Sequence, residues 1–221
     1  MKETIYSIPI NESFEIIDGD CPVCRLHRKL IDDTLDYILG PAMMEPDVRK
    51  RSNALGFCPE HLTALLNRQK RLPLALVLET HIKTLLESEK RLLNRNCYVC
   101  ERSGGFLGSY YSNILYLWRT EPDFVKKWDA QPMICRPHTA ALAEIAPKAL
   151  SRKETQVFTA SLQKKAAAHM TSLENSLAIF IRSFDHRFSG EDLGEHKQAV
   201  QAVMKFLNGH YDGKSGCPSD N

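Results

Sequence analysis

Several features of secreted, membrane and nucleic-acid-binding proteins are missing from this sequence. The N-terminal stretch MKETIYSIPINESFEIIDGD has no continuous apolar segment, so we expect no secretory signal peptide. No apolar run approaches the length of about 18 residues that a transmembrane helix needs. The 29 lysines and arginines are balanced by 27 aspartates and glutamates, without the basic excess that is typical of a dedicated nucleic-acid binder.

The sequence signatures of common enzyme sites are also scarce. There is no GxSxG motif, and the SGG at 103–105 lacks the strand and the lysine of a phosphate-binding loop. No pair of carboxylates stands out for acid–base chemistry, and the FDHRF stretch at 184–188 is interpreted as an ion pair or cap at a helix end. We therefore predict no catalytic residue and no cofactor other than a metal.

Cysteine, by contrast, is frequent and regularly placed. Six of the seven cysteines fall in four short motifs: the first CxxC (CPVC, 21–24), the first CxxH (CPEH, 58–61), the second CxxC (CYVC, 97–100) and the second CxxH (CRPH, 135–138). In each half of the chain 33 or 34 residues separate the CxxC from the CxxH, and the flanking EPDVRKRSNALGF and EPDFVKKWDAQPMI segments match. The sequence is therefore an internal duplication with an offset of 76 residues.

The repeated motifs predict two metal sites. Zn²⁺ favours four tetrahedral thiolate and imidazole ligands, and two ligands separated by two residues can chelate one ion from a single turn of chain. We predict two Zn²⁺ ions per chain, one for each repeat. The predicted ligand sets are Cys21, Cys24, Cys58 and His61 in the first repeat, and Cys97, Cys100, Cys135 and His138 in the second. Four protein ligands leave no open position, which favours a structural role.

Other uses of these cysteines stay open at this point. An iron–sulfur cluster can accept three cysteines and one histidine, although four cysteines are more usual. A redox-active dithiol is expected in a βαβ context and does not explain the CxxH motifs. Disulfides are disfavoured because a chain without an export signal is expected in the reducing cytoplasm.

Hydrophobic periodicity predicts an all-α fold. Apolar residues recur at helical spacing through most of the chain, and almost nothing alternates with a period of two. The first predicted helix runs from Cys24 to Gly40. The others span 45–56, 58–66, 73–93, 106–119, 122–130, 137–145, 152–185 and 194–208. We predict a helical bundle of two pseudo-repeats, each pinned by a Cys3His metal site at the N-terminal ends of helices, where the helix dipole favours thiolates.

The repeat also predicts the organisation of the chain. The predicted parts are an N-terminal segment at 1–20, the first repeat at 21–96, the second repeat at 97–190, a C-terminal helix at 191–210 and a disordered tail at 211–221. Cys217 in the tail is expected to be a free thiol.

The predicted function is that of a non-enzymatic interaction or adaptor module, with a protein partner or a second copy of the chain. One alternative is a thiol-based redox protein or a metal-dependent enzyme. Nucleic-acid binding is a further alternative, through the basic clusters at 49–51 and 68–71 and through base stacking on Trp118, Trp128, Tyr110, Tyr111 or Tyr116. A solvated helix face and core aromatic residues are the preferred interpretation of these features.

The chain also resembles a known family. The CPVC…GFCPEHL and CYVC…ICRPH segments and the FIRSFDHRF stretch are similar to a bacterial family catalogued as domain of unknown function 6062, over roughly residues 6–210. The resemblance implies a cytoplasmic bacterial protein and supplies no catalytic residue, so the metal prediction rests on the spacing of the motifs.

Overall fold

A computed structural model describes residues 4–87, 96–185, 187 and 192–209 of the chain. These residues form α-helices and short 3₁₀ helices, with no strand among them, which confirms the all-α prediction. The α-helices are α1 (Thr4–Glu15), α2 (Pro22–Ile38), α3 (Pro46–Leu55), α4 (Pro59–Asn67), α5 (Arg71–Leu86), α6 (Tyr98–Thr120), α7 (Pro122–Ala130), α8 (Arg136–Ala149), α9 (Arg152–Arg182) and α10 (Ala199–Asn208). The 3₁₀ helices are Pro41–Met44 and Gly194–Gln198.

Local sequence signals explain the starts of five of the α-helices given above. Proline occupies the first or second position of α3, α4, α7 and α8, where its missing N–H costs nothing. The long helix α9 begins with a capping box. Its Ser151 hydroxyl accepts a hydrogen bond from the Glu154 N–H, and the Glu154 carboxylate accepts one from the Ser151 N–H.

The predicted helix over 73–93 is observed as Arg71–Leu86, with 88–93 outside the described residues, and the predicted helix over 194–208 begins as a 3₁₀ helix. Two further elements differ more from the prediction. Helix α1 forms in the N-terminal segment, for which no helix was predicted, and it buries Ile10 and Phe14. Helix α6 begins at Tyr98, directly at the second CxxC, rather than near residue 106. Its glycines weaken the helical pattern in the sequence, but burial of Val99 and Leu107 in the core stabilises the helix through this stretch. Leu92, Leu93, His186, His210 and Cys217 lie outside the described residues.

The described chain divides into two compact units. One unit contains the residues up to Leu26 together with those from Ser109 onward, and the other contains His27–Gly108. The division falls within α2 and α6. The repeat boundaries at 21–96 and 97–190 remain a prediction from the sequence.

The first unit, which holds both ends of the described chain, is built on buried aromatic residues. The rings of Phe14 and Phe124 have centroids 5.0 Å apart, and those of Trp128 and Phe158 are 5.1 Å apart. The Trp128 indole N–H donates a hydrogen bond to Ser161 Oγ at 3.2 Å. This cluster packs α1 against α7 and joins them to the long helix α9. Burial of such large side chains is the main stabilising contribution available to a helical unit of this size.

The second unit is built around a cluster that includes cysteines. Apolar side chains from α2, α4 and α5 surround two thiols and the ring of Tyr98. The cluster contains Leu35, Ile38, Leu39, Cys58, Leu65, Leu74, Val77, Cys97, Tyr98 and Val99. The sulfur atoms are therefore part of the core and not of the surface.

Candidate metal centres

The structure brings all eight residues of the four motifs into two groups. The outer group contains the first CxxC and the second CxxH: Cys21, Cys24, Cys135 and His138. The inner group contains the first CxxH and the second CxxC: Cys58, His61, Cys97 and Cys100. In each group the ligand atoms lie within 4.8 Å of one another. The names refer to the order of the motifs along the chain. Both motifs of the inner group lie between the two motifs of the outer group.

The predicted partnering of the motifs within each repeat is wrong. Each group combines the CxxC of one repeat with the CxxH of the other, so the duplicated halves exchange their half-sites. Because the two CxxC motifs are equivalent, and so are the two CxxH motifs, either partnering yields three cysteines and one histidine. The ligand count therefore stays as predicted, while the chain segments that each ion would join are different.

Each half-site lies at the N-terminal end of a helix, as predicted. Cys58 and Cys135 precede α4 and α8 with nearly the same backbone angles, φ −72° and ψ 162° in one and φ −63° and ψ 156° in the other. Cys21 and Cys97 precede α2 and α6 in the same way, and their carbonyls accept the first helical hydrogen bonds. Two helix N-termini therefore point their positive ends at each group, which stabilises thiolates.

The outer group has the dimensions of a small tetrahedron. The Sγ atoms of Cys24 and Cys135 are 3.6 Å apart. His138 presents Nδ1 to the three sulfurs, at 3.6 Å from Cys21, 3.4 Å from Cys24 and 3.0 Å from Cys135.

The inner group repeats this arrangement. His61 also presents Nδ1, at 3.1 Å from the sulfur of Cys58 and at 3.4 Å from those of Cys97 and Cys100. The sulfurs of Cys58 and Cys100 are 4.0 Å apart. The short distance within each CxxH follows from its spacing, since residues three apart at a helix start lie on one face.

These distances fit a single tetrahedral metal ion. Zinc–sulfur bonds of about 2.3 Å and zinc–nitrogen bonds of about 2.0–2.1 Å give edges of about 3.8 Å between sulfurs and about 3.6 Å between sulfur and nitrogen. The eight distances given above lie within about 0.6 Å of these edges. Either group could therefore hold one ion between its four ligand atoms.

Burial and hydrogen bonds between the thiols shift the pKa values of the cysteines in the outer group. Burial opposes ionisation of Cys21, but hydrogen bonds from Cys135 and Cys24 and the proximity of His138 outweigh it and hold its pKa well below the usual value. In the outer group the pKa of Cys135 is raised, because its proton is shared with Cys21 and Cys24 and the site is buried. A buried group of three thiols does not carry three negative charges without a cation, and a divalent ion removes this conflict.

The inner group shows the same behaviour at one of its thiols. Hydrogen bonding from Cys100, against the effect of burial and with a further contribution from His61, lowers the pKa of Cys97 to about 3. The lowered pKa favours the thiolate form of Cys97, which is the form that binds metal. All six cysteines of the two groups are free of disulfides.

A family model describes this chain over most of its length. The model of the family of unknown function DUF6062 matches residues 1–94 and again residues 86–214. The chain belongs to the DUF6062 family. Each match contains one CxxC and one CxxH, in agreement with the internal duplication. No curated protein and no solved structure matches the chain.

Two residues outside the four motifs, Gln131 and Arg25, hold the outer group of this DUF6062 member in place. The buried amide of Gln131 donates hydrogen bonds to the carbonyls of Phe14, at 2.7 Å, and Ile16, at 3.3 Å. It thereby joins the segment before Cys135 to the end of α1. The only sequence signal for Gln131 is that the second repeat is one residue longer than the first in this stretch.

Arg25 orders the loop that leads into the first CxxC. Its guanidinium donates hydrogen bonds to the carbonyls of Ser13 and Ile16 at the end of α1, and to the carboxylate of Asp18. These contacts satisfy carbonyls that the helix leaves without partners. The position of Cys21 is therefore set in part by contacts of Arg25 with the end of α1.

Gly209, at the end of α10, covers the outer group. A Cβ atom at this position would lie 3.5 Å from the sulfurs of both Cys24 and Cys135. Its φ of 78° and ψ of −152° belong to a region that only glycine adopts readily. The ring of Tyr111 lies 6.1 Å from that of His138, and burial together with the nearby thiolates raises its pKa.

Gly56 has a comparable role beside the inner group. Its carbonyl accepts a hydrogen bond of 2.9 Å from the Tyr98 N–H, which joins the two half-sites through the backbone. Gly56 has φ 70° and ψ −157°, and a Cβ atom there would lie 3.0 Å from Cε1 of His81. That ring is held in place by a 2.8 Å hydrogen bond between its Nδ1 and the carbonyl of Asn53.

We expect the Gly56→Ala substitution to lower the free energy of unfolding by about 2 kcal/mol or more, because it combines backbone strain with a steric clash. Chemical denaturation of the metal-loaded protein measures this change. Gly104→Ala is the matched control, since Gly104 lies in α6 with no atom within 4 Å of its Cβ position. The control is expected to raise the free energy of unfolding by about 0.5–1 kcal/mol. Equal effects of the two substitutions would contradict the role assigned to Gly56.

The basic clusters are largely engaged in contacts within the chain. Arg49 donates hydrogen bonds to the carbonyl of Leu76 and to Thr80 Oγ1, and Arg51 pairs with Glu101. Arg68 and Lys70 pair with acidic side chains of α2. These pairings reduce the positive potential that phosphate binding would need.

The other aromatic and charged residues considered in the sequence are found in the core or in an ion pair. Trp128, Tyr110 and Tyr111 are buried, in agreement with their interpretation as core residues. Asp185 and Arg187 form an ion pair near the end of α9, as expected for part of the FDHRF stretch. Within the described ranges, no helix has the length and apolar character needed to cross a membrane.

Proposed function

We propose that the chain is a zinc-stapled helical adaptor, a cytoplasmic protein that holds two structural Zn²⁺ ions and acts by binding a protein partner. The observation that carries this proposal is the saturation of each group by its own side chains. Three sulfurs and one imidazole nitrogen surround a point at distances suited to one ion.

The chemistry of the donor atoms supports zinc. Thiolate and imidazole are the ligands of structural zinc sites, and Zn²⁺ imposes the tetrahedral arrangement that the two groups share. An iron–sulfur cluster distributes its cysteines around several iron atoms, so its ligands lie farther apart than those of one ion. The 3.6 Å separation between Cys24 and Cys135 favours a single ion over a cluster.

The surroundings of the groups support a structural role. A catalytic zinc ion keeps a position open for water, usually beside a carboxylate or histidine that moves protons. Neither group, as found among the described residues, includes an aspartate or a glutamate. All four residues of the outer group are buried. A closed, buried site of this kind contributes to folding free energy and not to turnover.

A thiol-based redox function is the second candidate, and Cys100 is the observation that favours it. Cys100 is partly exposed, whereas the other seven residues of the two groups are buried. Oxidants reach partly exposed thiolates more readily than buried ones. In this candidate the inner group would react before the outer group.

Elemental analysis combined with a thiol count separates these functions. The adaptor proposal expects two zinc ions per chain and one reactive cysteine, Cys217, before chelation. All seven cysteines should react after chelation. A Cys217→Ser control should show no reactive cysteine before chelation and six after it. Iron, or a visible chromophore, would contradict the assignment of zinc. Reaction of two or more thiols while both ions stay bound would favour the redox candidate.

A further inference from the structure

Helix α5 is apolar on two faces, only one of which is buried. Its inner face places Leu74 and Val77 in the core cluster of the second unit, with Leu78 packed against it. A helix that is apolar on more than one side is normally covered on each of them. The second apolar face of α5 is therefore a candidate surface for binding a partner.

The uncovered face has the spacing of a coiled-coil seam. We name as the α5 seam the residues Leu72, Ala75, Glu79, Ile82 and Leu86, which follow one another at intervals of three and four. All five are exposed, with exposed fractions of 71% for Leu72, 54% for Ile82 and 82% for Leu86. Alternating intervals of three and four are the a and d positions of a heptad repeat, which pack against a second helix. The seam is about 21 Å long at 1.5 Å per residue.

One charged pair interrupts the apolar seam. Glu79 occupies its central position and forms an ion pair of 2.8 Å with Lys83, one turn further along the same exposed face. The position of this pair distinguishes between possible partners, because a charge at a central seam position must meet an opposite charge or stay in water.

We infer that the α5 seam binds the α5 seam of a second copy of this chain, in an antiparallel orientation. In the register that puts Glu79 opposite Ile82 of the other copy, Glu79 also meets that copy's Lys83. The two-fold symmetry forms the same charge pair twice. The same register puts the small side chain of Ala75 opposite the large Leu86, so the contact between the two seams covers residues 75–86 of each copy and leaves Leu72 outside it. A parallel arrangement would instead bring the two Glu79 carboxylates together.

This inference extends the proposed adaptor function by naming a second copy as a partner. One helix pair buries an area at the low end of specific interfaces, so we expect a dissociation constant on the order of 10 μM. Because α5 packs on the core cluster that contains Cys58 and Cys97, the seam is presented by the metal-loaded unit.

Charge reversal in the full-length, metal-loaded protein tests the inference. Sedimentation velocity should show a monomer–dimer equilibrium for the wild type between about 1 and about 300 μM. Glu79→Lys places two lysines together across the interface and Lys83→Glu places two glutamates together. Each single change should weaken the dimer about tenfold or more, and the double reversal should restore it.

A substitution that adds a charge to an apolar position of the seam is a second test of the inference. Ile82→Glu should abolish the dimer, whereas Val157→Glu should leave it intact, since Val157 is an apolar residue of α9 with the same exposed fraction of 54%. Circular dichroism and zinc content, measured on every sample, separate failure of the dimer from failure of the metal sites. A wild type that is monomeric throughout, or single reversals that dimerise normally, would overturn the inference.

Discussion

Replacing both cysteines of the first CxxC with serine is expected to leave one zinc ion per chain. Removing one CxxH motif in addition then shows which CxxH shares an ion with the first CxxC. Removing the second CxxH as well should leave that one ion in place, because both changes remove ligands of the outer group. Removing the first CxxH instead should leave none, because each group then lacks two of its four ligands. Zinc content after desalting, measured by elemental analysis, gives the result.

The two combined variants are matched controls for each other. Both remove two CxxC cysteines and one CxxH pair, and the two CxxH motifs have equivalent geometry at the starts of α4 and α8. Partnering within each repeat predicts the opposite pattern, with no ion after removal of the second CxxH and one after removal of the first. That pattern would show that the exchange of half-sites does not occur in solution.

Cys135→Ser is expected to lower the free energy of unfolding by at least about 3 kcal/mol, because it removes a ligand of the outer group and part of that ion's contribution to folding. For a chain of this size the change corresponds to a fall in melting temperature of roughly 6–12 °C. Cys135 is completely buried, and its sulfur lies 3.0 Å from Nδ1 of His138. Calorimetry of the zinc-loaded protein measures the effect.

Chelation provides the control for this measurement. Wild-type protein that has been stripped of metal should melt below the Cys135→Ser variant that retains its inner ion. Cys217→Ser, in the predicted tail, should melt with the wild type. A Cys135→Ser variant that is as stable as the wild type would show that the outer group does not hold a stabilising ion.

The predicted loss of stability in Cys135→Ser depends on the large sequence separation between the two motifs of the outer group. Its two halves are 111 residues apart in the chain between Cys24 and Cys135. An ion at this site would hold the start of α2 against the start of α8, inside the unit that also contains α1, α9 and α10. Loss of the ion leaves buried thiols without a cation and removes a constraint on chain entropy.

Much of the local structure follows directly from the sequence. Prolines at helix starts, glycines at helix ends and the capping box at Ser151 act over only a few residues, so the helices over 46–55, 59–67 and 122–130 lie close to their predicted positions. The sequence does not indicate the early start of α6, because its three glycines interrupt the helical pattern. The burial that stabilises that helix depends on residues far away in the chain.

The sequence by itself determined the eight side chains, their division into four chelating half-sites and the position of each half-site at a helix start. A CxxC or CxxH motif acts within one turn of chain, so its geometry is local. Only the tertiary structure decided which half-sites share a group. Both partnerings offer the same donor atoms, and the choice rests on distant contacts such as those of Gln131 with the end of α1 and of Tyr98 with Gly56.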